Sequence, residues 1–244
     1  MLSVLTVSYN CLDFIKLLAL SVRRFSTWPH ELIIIDNASS DGSREWLEKQ
    51  PDIRLIPLAN NIGHGRGLDM ALMAAKGEYC LILDADAHIQ RNGYEDDLLI
   101  LYQSNPNMRL VAAKGTYNAD APDAKPIHAA FMFFETRIFK DLGFSFVAVG
   151  RYDVGRKVFY DLRDLGLETV RVESGVKFYD GVYGDNYYLE RRPTFYHNWY
   201  SSRMWQKDKV DDYERVEFDK YKIALFNQPL VKEILGEEGN LDRA

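Results

Sequence analysis

The sequence from Tyr79 to His88 reads YCLILDADAH, an apolar run that ends on two aspartates one residue apart. The apolar part has the length and composition of a buried β-strand. Because side chains alternate along an extended chain, Asp84 and Asp86 project to the same side as the strand ends. Two neighbouring carboxylates favour a cation between them, usually Mg²⁺ or Mn²⁺ carrying a substrate's phosphates. An exposed acidic turn is the alternative, and Asp-x-Asp alone favours it because so short a motif is common.

The length, composition and net charge of the chain are those of a globular protein and do not indicate a strongly charged partner. Its 244 residues are ample for one large domain, with 47% hydrophobic and 27% charged residues. A net charge of −6 gives no general attraction for nucleic acid or an anionic membrane. The two cysteines lack the spacing of a metal knuckle or a disulfide framework. With no signal-peptide pattern and no apolar run long enough for a transmembrane segment, we expect a cytoplasmic protein.

Strand and helix patterns alternate through the first part of the chain. Strands are predicted at 2–8, 31–35, 53–56 and 79–83, with helices at 13–25, 41–49 and 61–75 between them. The helix caps are assigned to Asp13, Asp41 and, at the end of the third helix, Gly77. This order predicts an α/β fold with a mainly parallel twisted sheet flanked by helices.

Polar residues follow each of these strands. They are Tyr9, Asn10, Asp36, Asn37, Asn61, Asp84 and Asp86. The carboxyl ends of parallel strands lie along one edge of a sheet, so these groups should converge on one crevice.

The alternation loosens after Asp86. We predict helices at 94–103, 137–142 and 153–165, strands at 108–113, 127–135 and 167–172, and a helical tail over 200–235. Loops are expected at 117–125 and 143–152, and His30 and His88 are also placed on loops. The region before the tail is rich in aromatic side chains, which either form a lid over a ligand or, as we prefer, seal a small second core. These are Phe178, Tyr179, Tyr183, Tyr187, Tyr188, Phe195, Tyr196, Trp199, Tyr200 and Trp205.

Five segments in order carry a family resemblance. They are VSYN (7–10), IIDNASSDGS (34–43), NIG (61–63), AKGEY (75–79) and LDAD (83–86). Together they resemble the nucleotide-binding half of the family 2 glycosyltransferases, which have the GT-A fold and an Asp-x-Asp motif. The match spans residues 1–90, and the rest of the chain is matched more loosely.

The resemblance implies a set of residues that contact a nucleotide-sugar. They are Ser8, Tyr9, Asn10, Asp36, Asn61, Gly63, His64, Asp84 and Ala85. Asp36 would accept hydrogen bonds from the ribose or the base, although a helix-capping role is the alternative. The glycines at 63, 65 and 67 look like a phosphate loop, but no P-loop lysine follows them. Asp69 stands where the family often has asparagine, and Arg66 is either a phosphate contact or an exposed charge.

The resemblance also implies a metal site and a catalytic base. Asp84, Asp86 and His197 would hold Mn²⁺ or Mg²⁺ on the donor diphosphate, with His128 and His64 weaker candidate ligands. A packed, hydrogen-bonded imidazole is the alternative for His197. Asp153 would take the acceptor's proton in an inverting single displacement. An N-cap role for Asp153 is nearly as good an explanation, because Tyr152 replaces the glutamate that is common in the family.

The predicted organisation follows from this assignment. Residues 1–90 form the nucleotide-sugar-binding half of a GT-A domain, 91–200 the acceptor-side half, and 201–244 a C-terminal helical extension. The predicted partners are a nucleotide diphosphate sugar and an acceptor hydroxyl on a carbohydrate, lipid-linked glycan, small molecule or modified nucleic acid. The alternatives are a sugar-phosphate nucleotidyltransferase, a non-catalytic nucleotide-sugar-binding protein and a transferase acting on modified DNA bases.

Overall fold

A computed structural model describes residues 1–115, 127–150, 153–175, 178–179, 182–198 and 212–236. The predicted loop at 117–125 lies outside these ranges, as do Trp199, Tyr200, Trp205 and the first residues of the predicted tail helix.

The described strands and helices follow the predicted order closely. The strands are β1 (Leu2–Ser8), β2 (His30–Asp36), β3 (Ile53–Pro57), β4 (Tyr79–Leu83), β5 (Ala87–Ile89), β6 (Met108–Lys114), β7 (Ile127–Glu135), β8 (Glu168–Val172), β9 (Phe178–Tyr179), β10 (Val182–Tyr183), β11 (Asp185–Leu189) and β12 (Arg192–His197). The helices are α1 (Leu12–Phe25), α2 (Ser43–Leu47), α3 (His64–Ala74), α4 (Tyr94–Gln103), α5 (Thr136–Asp141), α6 (Arg156–Asp164), α7 (Asp212–Phe226) and α8 (Pro229–Gly236).

Seven strands form a mainly parallel sheet in the order β3-β2-β1-β4-β7-β6-β8. β1 pairs in parallel with β2 and β4, β2 with β3, and β6 with β8. β7 runs antiparallel between β4 and β6, which accounts for the loss of regular alternation after Asp86. The sheet confirms the predicted α/β fold.

Alternating side chains of the sheet divide the core into two layers. Leu32 and Ile34 of β2 face the layer that contains α1, α4 and α8, whereas Ile33 and Ile35 face the layer that contains α3, α5 and α6. Both faces of the sheet are therefore covered, which explains why β1 is buried along its whole length.

A second, three-stranded sheet has the order β11-β12-β5 and is antiparallel. Phe131 of β7 joins it to the main sheet, because its ring stacks on Phe195 at 4.6 Å between centroids and meets Tyr187 edge-on at 5.4 Å. Tyr187, Phe195 and Tyr196 are buried, as predicted, but they pack in the same cluster as the layer of the core that contains α1, not in a separate second core.

Two histidines lie on strands, not on loops as predicted. His88 is the central residue of β5 and is buried, and His30 is the first residue of β2 and is exposed. β5 has only three residues and pairs with a strand far along the chain, so it carries too little local pattern to be recognised.

The predicted caps are partly wrong. Asp13 lies inside α1, and the first N–H of that helix, on Leu12, donates to Oδ2 of Asp41 at 2.8 Å. Oδ1 of Asp41 accepts the N–H of Ser43 at the start of α2, which confirms its capping role. Gly77 does not cap α3, because the helix ends at Ala75 in extended geometry. A Cβ on Gly77 would lie 2.6 Å from the backbone nitrogen of Ser3, so glycine is needed for close packing.

Across the described residues, every helix is too short or too polar to span a bilayer.

Candidate functional site

The polar groups that follow β1, β2 and β4 meet at the carboxyl edge of the sheet. Ser8 is directly opposite Asp36 in the parallel register, and the N–H of Asn37 donates to the carbonyl of Ser8 at 2.8 Å. β4 lies on the other side of β1, so Asp84 follows a neighbouring strand. The predicted convergence at one edge of the sheet is confirmed for these residues.

Asparagine side chains tie the loops at this edge together. Oδ1 of Asn10, a residue in the left-handed region with φ 49°, accepts the N–H of Ser40 at 2.7 Å. Nδ2 of Asn37 donates to Oδ1 of Asn61 at 2.9 Å, and this same oxygen accepts the N–H of Gly63. Asn10 and Asn61 were predicted to contact a ligand. Here their side-chain oxygens hold the loops in place.

Asp36 is fully buried and is paired with an arginine that the sequence did not indicate. Its Oδ2 accepts a hydrogen bond from Nε of Arg44 at 2.8 Å and a longer one from the N–H of Ser39 at 3.3 Å. Its Oδ1 is buried and has no hydrogen-bond partner among the described residues. The second oxygen of this carboxylate therefore has an unused capacity to accept a hydrogen bond.

The remaining predicted donor contacts are less uniform. Tyr9 and Ala85 are half-buried, and an added Cβ on Gly63 would meet open space. The hydroxyl of Ser8 lies 3.5 Å from the thiol of Cys11, and the ring of His64 lies at the start of α3.

Two of the three glycines of the predicted phosphate loop are packed against other parts of the protein. A Cβ on Gly65 would lie 2.6 Å from the carbonyl of Phe146, and one on Gly67 would lie 2.8 Å from Val7. These glycines allow α3 to pack closely on its neighbours. Asp69 reinforces the same contact, because its carboxylate accepts from Ser145 at 2.7 Å and from the N–H of Phe146 at 2.8 Å.

His197 stands between the two aspartates of the Asp-x-Asp motif. Its Nε2 is 3.1 Å from Oδ1 of Asp86 and 3.4 Å from Oδ2 of Asp84. Nε2 of His64 approaches Oδ1 of Asp84 from the other side at 3.5 Å. The side chains of Asp84, Asp86 and His197 are 13%, 9% and 4% exposed. The two carboxylates and the imidazole therefore form a cluster that is largely shielded from solvent.

His128 adds a second imidazole beside this cluster. Its ring centroid is 5.2 Å from that of His197, and ligand atoms of Asp84, His128 and His197 all lie within 4.8 Å of one another. Nδ1 of His128 accepts the N–H of Ala130 at 3.0 Å. In the neutral ring the proton is then on Nε2, so His197 is the better placed of the two imidazoles to bind a cation.

The charges of the cluster shift its pKa values in opposite directions. Burial alone would lower the pKa of His197, but Asp86 and Asp84 outweigh it and raise that pKa to about 10. Burial alone would raise the pKa of Asp84, yet the hydrogen bond from His197 and the neighbouring histidines lower it. Burial lowers the pKa of His128 to about 4. At neutral pH and without a metal, His197 is therefore an imidazolium that holds two carboxylates together.

The donor set fits a divalent cation. Two carboxylate groups and an imidazole are ligands that Mn²⁺ accepts, and a cation would take over the charge neutralisation that the His197 proton provides. Among the described residues, Asp84, His128 and His197 bring ligand atoms close enough together to hold it, and Asp86 contacts His197 beside them.

Asp153 lies near this cluster but does not begin a helix. α6 starts at Arg156, with Gly155 at φ 72° as its N-cap, which corrects the predicted start at Asp153. The Asp153 side chain is exposed, and its Oδ1 accepts the N–H of Val154 at 2.8 Å. Its negative charge acts to raise the pKa of His128, so the carboxylate is within electrostatic range of the cluster.

Comparison with known proteins decides the family. The model of glycosyl transferase family 2 matches residues 3–161, about two thirds of the chain. The chain belongs to glycosyl transferase family 2. This membership confirms the resemblance that the five motifs indicated.

An individual relative agrees with the family, and two solved structures agree on the fold. It is 32% identical over 138 residues to the putative teichuronic acid biosynthesis glycosyltransferase TuaG of Bacillus subtilis, covering 53% of each chain. A mannosyltransferase from Pyrobaculum calidifontis, solved with GDP-Man and Mn²⁺, is 21% identical with a TM-score of 0.56 over 70% of this chain and 54% of that one. Residues 1–349 of S. aureus TarS, solved with UDP-GlcNAc, are 16% identical with a TM-score of 0.57 over 96% of this chain and 71% of that one. The family 2 chain thus has the GT-A fold, and it spans about half the length of the first two of these proteins.

Proposed function

We propose that this chain is a metal-dependent glycosyltransferase that moves a sugar from a nucleotide diphosphate sugar to an acceptor hydroxyl. One observation carries the proposal: the buried Oδ1 of Asp36 and the cluster of Asp84, Asp86 and His197 lie along the same edge of the sheet. A nucleotide-sugar needs both features, because it carries a hydrogen-bonding nucleoside and a charged diphosphate. Two proteins of the same fold support it, since the mannosyltransferase was solved with GDP-Man and Mn²⁺ and TarS with UDP-GlcNAc.

The donor-binding half is assigned to residues 1–90. Asp36 accepts from the ribose or the base, while the hydrogen bond from Arg44 orients its carboxylate. The loops around the nucleotide contribute Ser8, Tyr9, Asn10, Asn61, Gly63, His64 and Ala85. Asn10 and Asn61 act by holding those loops, since their oxygens are already engaged.

The cluster is assigned to the diphosphate. Mn²⁺ or Mg²⁺ held by Asp84, Asp86 and His197 would supply positive charge to the departing diphosphate. Asp84 is kept ionised by the histidines around it, and His64 adds a donor at the start of α3.

Asp153 is assigned as the base on the acceptor-side half, residues 91–200. Its exposed carboxylate can reach an acceptor bound from solvent, and its charge already acts on His128 beside the cluster. It would take the hydroxyl proton as the acceptor oxygen bonds to the anomeric carbon and the bond to the diphosphate breaks, which gives inversion. Residues 201–244 remain a C-terminal helical extension, of which α7 and α8 are described.

The test is a panel of nucleotide diphosphate sugars with Mn²⁺, read by release of nucleoside diphosphate. Asp86→Asn should lower release by more than about 100-fold, because a bound metal supplies several kcal/mol to leaving-group departure. Asp153→Asn should leave donor binding unchanged and slow transfer by about 100-fold or more. Asp164→Asn, an exposed aspartate at the end of α6, is the matched control.

Three results would contradict the assignment. Donor binding that is equal with Mn²⁺ and with EDTA would indicate a non-catalytic binding protein. Release of pyrophosphate from a nucleoside triphosphate would indicate a nucleotidyltransferase. Full transfer by Asp153→Asn would remove this residue as the base.

A further inference from the structure

His128 lies at the carboxyl edge of the sheet because β7 runs antiparallel to β4. Leu83, the last residue of β4, pairs with Phe131. The N–H of Asp84 then donates to the carbonyl of Ala130 at 3.2 Å, so the first residues of β7 lie beside Asp84. Ligand atoms of His128 and Asp84 are within 4.8 Å of each other. The His128 side chain is half-buried, so a bound molecule can reach its ring.

An irregularity in the sheet brings His128 to this position. Ala112 of β6 pairs with Met132, so a regular ladder would continue with Phe131 opposite the next residue of β6. His128 occupies that position instead, and the residues between form a β-bulge in β7. Bulges are frequent next to active sites, where they redirect a side chain. The bulge therefore sets an imidazole at the edge of the sheet where the ladder would have set a phenyl ring.

The His128 ring is held so that its outer nitrogen is a hydrogen-bond donor. Its Nδ1 accepts the N–H of Ala130 at 3.0 Å, a contact within its own strand. The proton of the neutral ring is then on Nε2. A ring nitrogen that carries a proton does not bind a metal, but it can donate to an oxygen atom. This arrangement suits a hydroxyl group better than it suits a cation.

The loop before α6 packs against β7 at the same place. A Cβ on Gly155 would lie 3.8 Å from the Cβ of Ala129, the residue that follows His128. Burial lowers the pKa of His128, and the negative charges of Asp84 and Asp153 both oppose that shift. Both carboxylates are therefore within electrostatic range of the ring. His128 lies near the proposed metal cluster and also near the proposed base.

The proposed reaction places the transferred sugar between these two groups. The sugar is bonded to the diphosphate at the cluster, and the attacking acceptor oxygen must be within reach of Asp153. We propose that Nε2 of His128 donates a hydrogen bond to a hydroxyl group of the transferred sugar and thereby takes part in selecting that sugar. The inference rests on the proposed function, and it gives His128 a role in donor specificity in place of metal binding. A site built to hydrogen-bond a substrate hydroxyl discriminates strongly against an analogue that lacks it.

Isothermal titration calorimetry on the full chain with Mn²⁺ tests this contact. The probes are UDP-glucose, UDP-galactose, UDP-N-acetylglucosamine and GDP-mannose, each compared with free UDP or GDP. His128→Asn removes the Nε2 donor, while its amide oxygen can still accept the N–H of Ala130. We expect this variant to bind the preferred nucleotide-sugar about tenfold more weakly and to bind the free nucleotide within about twofold of wild type.

Two further variants complete the set. His128→Gln has a longer side chain that can place an amide N–H where Nε2 lies, so it should recover part of the affinity for the nucleotide-sugar. His30→Asn is the matched control, because His30 is exposed at the start of β2, and it should bind every probe as wild type does. If His128→Asn does not fold, His128→Phe decides, because it keeps a ring of similar size without a donor.

The ratio of nucleotide-sugar affinity to free-nucleotide affinity separates the outcomes. An equal loss for both ligands would show that His128 acts on the nucleotide or on the fold, and would overturn the proposal. Weaker Mn²⁺ binding by His128→Asn in electron paramagnetic resonance would make His128 a metal ligand and would also overturn it, as would wild-type affinity for both ligands. If the wild-type protein binds none of the nucleotide-sugars, the proposed function fails and this inference fails with it. Binding by wild type without a selective loss in the variants overturns the inference alone.

Discussion

Nε2 of His197 lies 3.1 Å from Oδ1 of Asp86 because β12 pairs with β5, the strand that follows the aspartate directly. The pairing sets His197 opposite Ala87, so an imidazole from a distant part of the chain lies beside the carboxylates of the Asp-x-Asp motif. The geometry of this contact leads to the first two predictions.

Replacing His197 should weaken Mn²⁺ binding. His197→Ala removes a nitrogen ligand, and we expect the affinity to fall by at least about tenfold, since even outer-shell partners of metal ligands contribute that much. Mn²⁺ titration followed by electron paramagnetic resonance measures it. His30→Ala, which removes an exposed histidine at the start of β2, should bind as wild type does. If His197→Ala binds Mn²⁺ as tightly as wild type, His197 is a packed imidazole and not a metal ligand.

The metal-free protein should lose stability as the pH rises above about 7.5, where the buried His88 and His128, whose pKa values are lowered to about 3 and about 4, are neutral in both the folded and the unfolded state. The folded pKa of His197 is about 10, above its usual 6.5, so the folded state holds a proton that the unfolded state releases. Its stabilisation is complete below 6.5 and is lost as the pH approaches 10, at up to about 1.4 kcal/mol per pH unit. The lowered pKa of Asp84 reflects the same ion pair. The stabilisation that this carboxylate contributes is lost only in acid, where it takes up a proton.

Denaturant unfolding in EDTA at pH 7.5 and 8.0 measures this dependence. Both values lie at least one unit below the usual pKa of 9 of the thiols in the unfolded state, and burial raises the pKa of Cys11 and Cys80 to about 12 in the folded state. His197→Gln should flatten the slope. If this variant keeps the wild-type slope of unfolding free energy against pH, a group other than His197 causes the pH dependence.

Removing Arg44 should destabilise the fold through Asp36. Arg44→Met leaves a fully buried carboxylate without its cation, and we expect a loss of about 2 kcal/mol in the free energy of unfolding. The figure is moderate because the Arg44 side chain is partly exposed. Arg137→Met, which breaks a pair exposed to solvent, should change stability by less than about 0.5 kcal/mol. In the Asp36→Asn background, Arg44→Met should cost much less, and an undiminished loss would show that the two side chains are not coupled.

Adding a methyl group at Gly65 should cost stability. Its Cβ would lie 2.6 Å from a backbone carbonyl, so α3 must shift, and overpacking of this kind typically costs about 1–3 kcal/mol. Gly236→Ala, at the end of α8 with open space around it, should be neutral or slightly stabilising. Thermal unfolding compares the two. If Gly65→Ala were as stable as wild type but bound nucleotide-sugar poorly, the phosphate-loop interpretation would return.

The chain's local patterns predicted most of the main sheet. Strands β1, β2, β4 and β7 lie within one residue of their expected bounds, because each is a long apolar run with clear breaks. The caps at Asp13 and Gly77 were wrong for a different reason. A cap depends on where a side chain finds its partner, and Asp41 reaches α1 from a separate loop.

An α/β sheet with Asp36, Asp84 and Asp86 at one edge can be predicted from the sequence, because the alternation of strands and helices and the residues that follow each strand are read along the chain. Which groups join these aspartates depends on contacts between distant segments. Arg44 reaches Asp36 from α2, and His197 and His128 reach the aspartates from β12 and β7. The pairing of β5 with β12 links segments that are distant in the chain. The local pattern of a three-residue strand is too weak to predict which strand it pairs with.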